Sequence, residues 1–291
     1  AFESTPGAGS TFSVRLAARR AAKPGAAAGP VVEAGRVCAW STARILLAED
    51  NLTNQVVALG ILRKLGFSDV VTVDNGREAL DAALGSEFAV ILMDCQMPLM
   101  DGYMATQSLR NAGCRTPIIA ITANAYQSDR DRCLAVGMND YIAKPIEAAQ
   151  LQDTLARWMP VAGPVSAGPA AAPQDGDAAG PVFDRAAVLG RLGDDEALLQ
   201  AVLESFLRHT PETLRALENA LDAQETALAA RHVHSLLGAC GTVGAQGMCA
   251  LLSTMDGHAR QGDLGAVRAG WPALRAAWTR FAAVTGDPGG A

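Results

Sequence analysis

At 291 residues the chain is too long for one domain of ordinary size and long enough for two. A net charge of −6 argues against a nucleic-acid or anionic-membrane binder, both of which select a basic surface. No run of about 18 apolar residues that could span a bilayer is present, and no stretch of the sequence reads as a signal peptide. Six cysteines (Cys38, Cys95, Cys114, Cys133, Cys240 and Cys249) form no CxxC pair, which favours reduced thiols over a metal or disulfide framework.

Residues 1–16 (AFESTPGAGSTFSVRL) read as a pair of strands, entered in mid-strand and without an initiating Met, as expected for the C-terminal piece of a longer protein. Residues 17–42 and 160–181 are rich in Ala, Pro and Gly without periodicity and read as linkers. Between them, over residues 43–159, apolar strand candidates at 44–48, 69–73, 88–93, 117–121 and 140–143 alternate with helical segments. Runs this apolar fit strands buried on both faces of a parallel sheet. The first helix is predicted from Asn54 to Leu65, closed by Gly66, and the second opens on Asn75 with Glu78 in capping-box spacing. Five βα units predict an α/β doubly wound parallel five-stranded sheet of flavodoxin-like order, 2-1-3-4-5. Residues 182–284 read as helix throughout, with segments at 184–191, 194–208, 211–221, 225–240, 245–260 and 264–283. Short breaks between them predict an all-α four-helix-bundle domain, followed by a disordered tail at 285–291.

Glu49 and Asp50 follow the first strand of this sheet and Asp94 follows the third. Those strands are neighbours in the predicted order, so three carboxylates converge at the switch point. Unpaired, they would repel and one would protonate. Mg²⁺ suits this ligand set, and a carboxylate beside it can attack phosphorus. Thr122 and Lys144, placed by the fourth and fifth strands, supply a hydroxyl and a cation for phosphoryl oxygens.

The stretches ILLAEDNLTNQ, VILMDCQMPLMDGY, PIIAITA and YIAKP resemble the signatures of response-regulator receiver domains. The resemblance implies that Asp94 is the phosphoacceptor and that Glu49, Asp50 and Asp94 hold Mg²⁺ with the backbone carbonyl of Gln96. It implies further that Thr122 and Lys144 contact the phosphoryl group and that Tyr141 switches with Thr122. Gln96 and Asn124 would border the path of the hydrolytic water, and the Lys144–Pro145 bond would be cis. Met97, Pro98 and Gly102 would shape the loop after Asp94, with the Asp101 side chain pointing away from the site.

In the helical region, a wheel places Ala229, Val233, Leu236, Cys240 and Val243 on one face. His232 is expected inside that face and His234 outside, projecting to solvent among small residues (Ala227, Ala230, Gly238, Gly241). HSLLGACGTVGA resembles the His-x-Leu-Lys-Gly motif of histidine-phosphotransfer (HPt) domains, and FDRAAVLGRLGDDEALLQAVLESF resembles their opening. This implies that His234 is the phosphorylated histidine. The position of the family lysine is Leu237, and Arg231, one turn before His234, is expected to supply the missing positive charge.

The GxGSxF stretch near the N-terminus resembles the end of a histidine kinase ATP-binding domain. Together the three resemblances imply the C-terminal part of a tripartite hybrid sensor kinase, a phosphotransferase whose ATP-binding core is outside this chain. The expected partners are that kinase core and a downstream response regulator receiver domain, with no nucleic acid and no direct membrane contact. The expected location is cytoplasmic, with the parent anchored in the inner membrane. The expected function is a phosphorelay through Asp94 and His234. The alternatives are a helical domain that only docks partners and a Mg²⁺-dependent α/β phosphatase. The last would need a second Asp two residues after Asp94, where Gln96 stands.

Overall fold

The computed structural model describes residues 2–5, 9–12, 43–123, 127–159 and 182–286. Both expected linkers, the tail from residue 287 and Asn124 lie outside the described residues. At the N-terminus, β1 (Phe2–Thr5) and β2 (Gly9–Phe12) pair antiparallel in register Phe2↔Phe12.

The described residues from 43 onward form one compact body. It opens with a parallel sheet of β3 (Arg44–Ala48), β4 (Asp69–Val73), β5 (Val90–Asp94), β6 (Ile118–Thr122) and β7 (Asp140–Ala143) in order β4-β3-β5-β6-β7. This is the predicted doubly wound arrangement. β5 and β6 are buried along their whole length, which explains their unbroken apolar sequence. Two strands begin later than the sequence suggests. The ladder with β3 starts at Ile45↔Val90, leaving Phe88 under the Arg44 guanidinium, and Pro117 has no N–H to donate. The ladders run on to include Asp94 and Thr122, so both functional candidates are strand residues.

The helices of this half are α1 (Leu52–Lys64), α2 (Gly76–Gly85), α3 (Gly102–Asn111), α4 (Gln127–Ala135) and α5 (Ala148–Trp158). α1 begins two residues before the predicted start because Asn51 caps it, its side chain accepting from the N–H groups of Thr53 and Asn54. Asn75 caps α2 by accepting from Glu78 N–H at 2.9 Å, as the spacing foretold.

The second half contains α6 (Arg185–Arg191), α7 (Glu196–Asp222), α8 (Thr226–Val243), α9 (Gln246–Arg260) and α10 (Leu264–Thr285). α7 to α10 form the four-helix bundle, with Phe206 and Phe281 meeting edge to face at 5.4 Å between ring centroids in its core. The break expected at Pro211 does not occur: one helix runs from Glu196 to Asp222. Its buried stripe, Leu199, Val202, Leu203, Phe206, Thr210, Leu214, Leu217 and Leu221, keeps helical spacing through the proline. Burial along the bundle outweighs the roughly 3 kcal/mol that an interior proline costs.

Candidate active site

The parallel topology delivers four charged residues to the C-terminal edge of the sheet. Glu49 and Asp50 leave β3, Asp94 ends β5 and Lys144 leaves β7. Lys144 Nζ lies 2.6 Å from Asp94 Oδ2 and 2.8 Å from Glu49 Oε2. One oxygen each from Glu49, Asp50 and Asp94 lies within 4.8 Å of the others. Three carboxylates face one ammonium, so the cluster carries a formal charge of −2. Burial, together with the charges of Asp94 and Asp50, pushes Glu49 up to about 8 against the pull of Lys144. Burial and Asp94 push Asp50 up to about 6. Burial alone would lower Lys144, but Asp94 and Glu49 reverse the direction and raise it. Burial is the largest cause for both carboxylates, and the excess of negative charge over what Lys144 can neutralise adds to it. An all-oxygen donor set with this excess charge fits a hard divalent cation.

Neighbouring groups frame the cluster. Gln96 is exposed and its backbone N–H donates to Asp94 Oδ1 at 3.1 Å. Thr122 is buried and shares with Asp94 the lining of a cavity of about 50 Å³. The Asp101 side chain caps α3, accepting from Met104 N–H at 2.7 Å. Gly102 is required by close approach, because a Cβ there would lie 2.1 Å from the Asp94 carbonyl oxygen. The Lys144–Pro145 bond is cis. Tyr141 is half-buried with the Arg130 guanidinium 5.7 Å from its ring centroid, and it lines neither cavity at the cluster.

The helical bundle packs directly on this edge. α1 lies against α7 and α8, and the apolar side chains of the two halves form one continuous core. Asn51 Nδ2 donates to Ser235 Oγ at 3.0 Å, and Thr242 Oγ1 donates to Asn54 Oδ1 at 2.8 Å. Asn54 Nδ2 in turn donates to Glu49 Oε1 at 2.9 Å, so a polar chain runs from α8 into the carboxylate cluster. Gly60 of α1 leaves room for Leu198, and Gly238 of α8 faces Asn54 and Lys144.

His234 therefore does not project to solvent as the wheel suggested. Its side chain is 13% exposed, because the receiver-like half covers it. With Asp94, Glu49 and Asp50 it lines one cavity of about 300 Å³, along with Arg231, Asp256 and Arg260. Arg231 is exposed at the rim. His232 is half-buried rather than a core residue. At about 100° per residue it stands roughly 60° from the middle of the face set by Ala229, Val233, Leu236, Cys240 and Val243, at its edge. Burial and the charge of Arg231 hold His232 below the ordinary histidine range.

Family comparisons agree with this architecture. Residues 45–156 match the response regulator receiver domain and residues 201–284 match the Hpt domain. The chain carries a receiver domain and an HPt domain and is homologous to hybrid histidine kinases. The hybrid signal transduction protein dokA of Dictyostelium discoideum is 45% identical over 118 residues, covering 40% of this chain and 7% of that protein. The signal transduction histidine-protein kinase BarA of Escherichia coli is 29% identical over 222 residues, 75% of this chain and 24% of the relative. The chain thus spans less than a quarter of these relatives. Among solved structures, the receiver domain of a sensor histidine kinase from Pseudomonas aeruginosa, with a magnesium ion coordinated in its active-site cleft, is 50% identical. It has a TM-score of 0.38 and covers 40% of this chain and 97% of that one. Receiver and HPt domains place the chain in two-component phosphorelay signalling.

Proposed function

We propose that Asp94 accepts a phosphoryl group and exchanges it with His234 of the same chain, in the docked arrangement described above. The observation that carries this reading is the shared cavity: the buried carboxylate and the imidazole line one space of about 300 Å³. Asp94 attacks the incoming phosphorus through a carboxylate oxygen, forming the O–P bond as the P–N bond of the donor phosphohistidine breaks and the donor imidazole leaves. Lys144, already paired with that carboxylate, is placed to follow the charge onto the phosphoryl oxygens. Thr122 offers a hydroxyl to the same oxygens. Glu49, Asp50 and Asp94, with the backbone carbonyl of Gln96, would hold Mg²⁺, which when bound neutralises phosphoryl charge. In the second step a His234 nitrogen forms the N–P bond as the Asp94 O–P bond breaks, and the carboxylate leaves. Arg231, at the cavity rim, supplies the cation that Leu237 does not. Gln96 and Asn124 set the lifetime of the acyl phosphate, and Tyr141 answers its formation.

The partners that fit these two domains are a histidine kinase core of the same parent and a downstream receiver domain. The N-terminal hairpin would be the end of that kinase core. Among the described residues no helix is long and apolar enough to cross a membrane. The membrane anchor belongs to the parent, with these domains on its cytoplasmic side.

A small-molecule phosphodonor with Mg²⁺ tests the reading. The chain should take up label that chases from a base-labile acyl phosphate to a base-stable phosphohistidine. Asp94→Asn should abolish both, and His234→Gln should leave only the first. Label confined to Asp94 in the unaltered chain would make the helical domain a docking module instead.

A further inference from the structure

We propose that Asn51 and Asn54 are positioning residues that couple docking of the helical domain to Mg²⁺ binding in the receiver: α8 holds both side chains, and both hold Glu49. The inference rests on the reading of Glu49, Asp50 and Asp94 as the Mg²⁺ site and adds what sets the affinity of that site.

Glu49 is 1% exposed, and its two oxygens are unequally served. Oε1 accepts from Asn54 Nδ2 at 2.9 Å, from Lys144 Nζ at 3.1 Å and from the Asn51 backbone N–H at 3.3 Å. Oε2 lies 2.8 Å from Lys144 Nζ but has no well-aligned hydrogen-bond donor among the described residues. A buried carboxylate oxygen left in this way costs free energy that a bound cation recovers. Both asparagines that serve Oε1 are held from the other domain. Asn51 Nδ2 donates to Ser235 Oγ at 3.0 Å, and Asn54 Oδ1 accepts from Thr242 Oγ1 at 2.8 Å. Ser235 and Thr242 stand about two turns apart on α8, so one stripe of that helix holds both amides.

The direction of the Asn54 bonds is forced. An asparagine amide can turn over, exchanging oxygen and nitrogen at little steric cost. The reversed amide would set Oδ1 against the Glu49 carboxylate, acceptor against acceptor. Nδ2 therefore stays on Glu49, and only a donor can satisfy Oδ1. In the docked chain that donor is the Thr242 hydroxyl, whose single proton Gly238 O, at 3.0 Å, also attracts. Asn54 is 3% exposed, so bulk water does not stand in for Thr242 while α8 is in place. The two domains thus act on each other through one amide. Glu49 as a ligand must be a carboxylate, which keeps Oδ1 turned toward α8. With α8 docked, Oε1 is held and Oε2 is the oxygen left for the cation. By linkage, docking and Mg²⁺ each raise the affinity of the other by the same factor.

The test measures Mg²⁺ binding to the full chain by isothermal titration calorimetry, with no phosphodonor present. Thr242→Val, isosteric, removes the donor to Asn54 and should raise the Mg²⁺ dissociation constant about three- to tenfold, the worth of one hydrogen bond. Thr242→Ser should restore it. Asn54→Ala should raise it at least as much, and adding Thr242→Val should then change nothing further, because the two lie on one path. Ser235→Ala should act in the same direction but more weakly, since Asn51 reaches Glu49 only through its backbone N–H at 3.3 Å. Small-angle scattering reads the reverse direction. Mg²⁺ should contract a chain whose docking is loosened by Gly60→Glu, and should contract it less when Asn54→Ala is added. Dissociation constants within a factor of two of the unaltered chain in both Thr242→Val and Asn54→Ala would overturn the coupling and leave the metal site standing. Fully additive effects of the two changes would overturn the shared path. An unaltered chain that takes up no Mg²⁺ would refute the metal reading itself, and the coupling with it.

Discussion

Gly60 offers a way to separate the two domains without touching the chemistry of either. A Cβ at this position would lie 2.2 Å from Leu198 Cδ1, a side chain that is 8% exposed at the junction of α1 and α7. Gly60→Ala should be tolerated, since the clash is with the end of a rotatable side chain. Gly60→Glu should not, because it sets a carboxylate where Leu198 is buried. Exposing that leucine alone costs about 1.5–3 kcal/mol. Adding the cost of partly desolvating the new charge, a total of about 3 kcal/mol would weaken docking by roughly 150-fold. The receiver itself should gain, because glycine is the poorer helix former by about 0.8–1.0 kcal/mol relative to alanine. The tether between the domains keeps their effective concentration near the millimolar range, so transfer slows rather than stops. Loading Asp94 from a phosphodonor and quenching at intervals should show normal acyl-phosphate formation and a delayed phosphohistidine. Small-angle scattering should show an expanded particle. Transfer in Gly60→Glu within a factor of two of the unaltered chain would refute the functional role of this interface.

Three further outcomes are expected. Thr242→Val leaves Asn54 Oδ1 buried without its 2.8 Å donor and should weaken docking by about 1–3 kcal/mol, read as a slower transfer with unchanged Asp94 labelling. Arg231→Ala should slow transfer by about tenfold, the low end for a charge-assisted contact because the side chain is exposed, and Leu237→Lys should recover much of the loss; rates within twofold would remove Arg231 from the mechanism. His232 is held below its ordinary value of 6.5, so the folded state resists its protonation. Its contribution to stability is complete above 6.5 and is lost as the pH falls below that value, where the unfolded chain binds the proton first. Denaturant midpoints should therefore fall less steeply on acidification in His232→Gln, and parallel profiles would contradict the assignment.

The convergence of the carboxylate cluster was legible because its residues sit at strand ends. Glu49, Asp50, Asp94, Thr122 and Lys144 all follow buried apolar runs, and a parallel sheet must bring such positions to one edge. The helical half was legible in composition but not in surroundings. A wheel tells inside from outside within one domain, and it assigned the His234 face to water because nothing in a helix period signals a second domain laid across it. Pro211 misled for a related reason: its local cost is outweighed by an apolar stripe that continues on both sides. Asn51 and Asn54 carry a short-range signal as cap and first-turn residues of α1, yet their second roles toward Ser235, Thr242 and Glu49 depend on contacts far away in sequence. Asp256 stands 22 residues from His234 on another helix, with no spacing that links the two.

Exchange of a phosphoryl group between Asp94 and His234 within one docked chain makes a kinetic prediction of its own. The direct measurement is the rate at which phosphohistidine appears after Asp94 is loaded, followed over a wide range of protein concentration. Transfer within the chain predicts a first-order rate that does not change with concentration, and a dilute mixture of Asp94→Asn and His234→Gln chains that yields almost no phosphohistidine. A rate that rises in proportion to concentration, with the mixture as active as the unaltered chain, would show that the phosphoryl group passes between molecules and not within the docked chain.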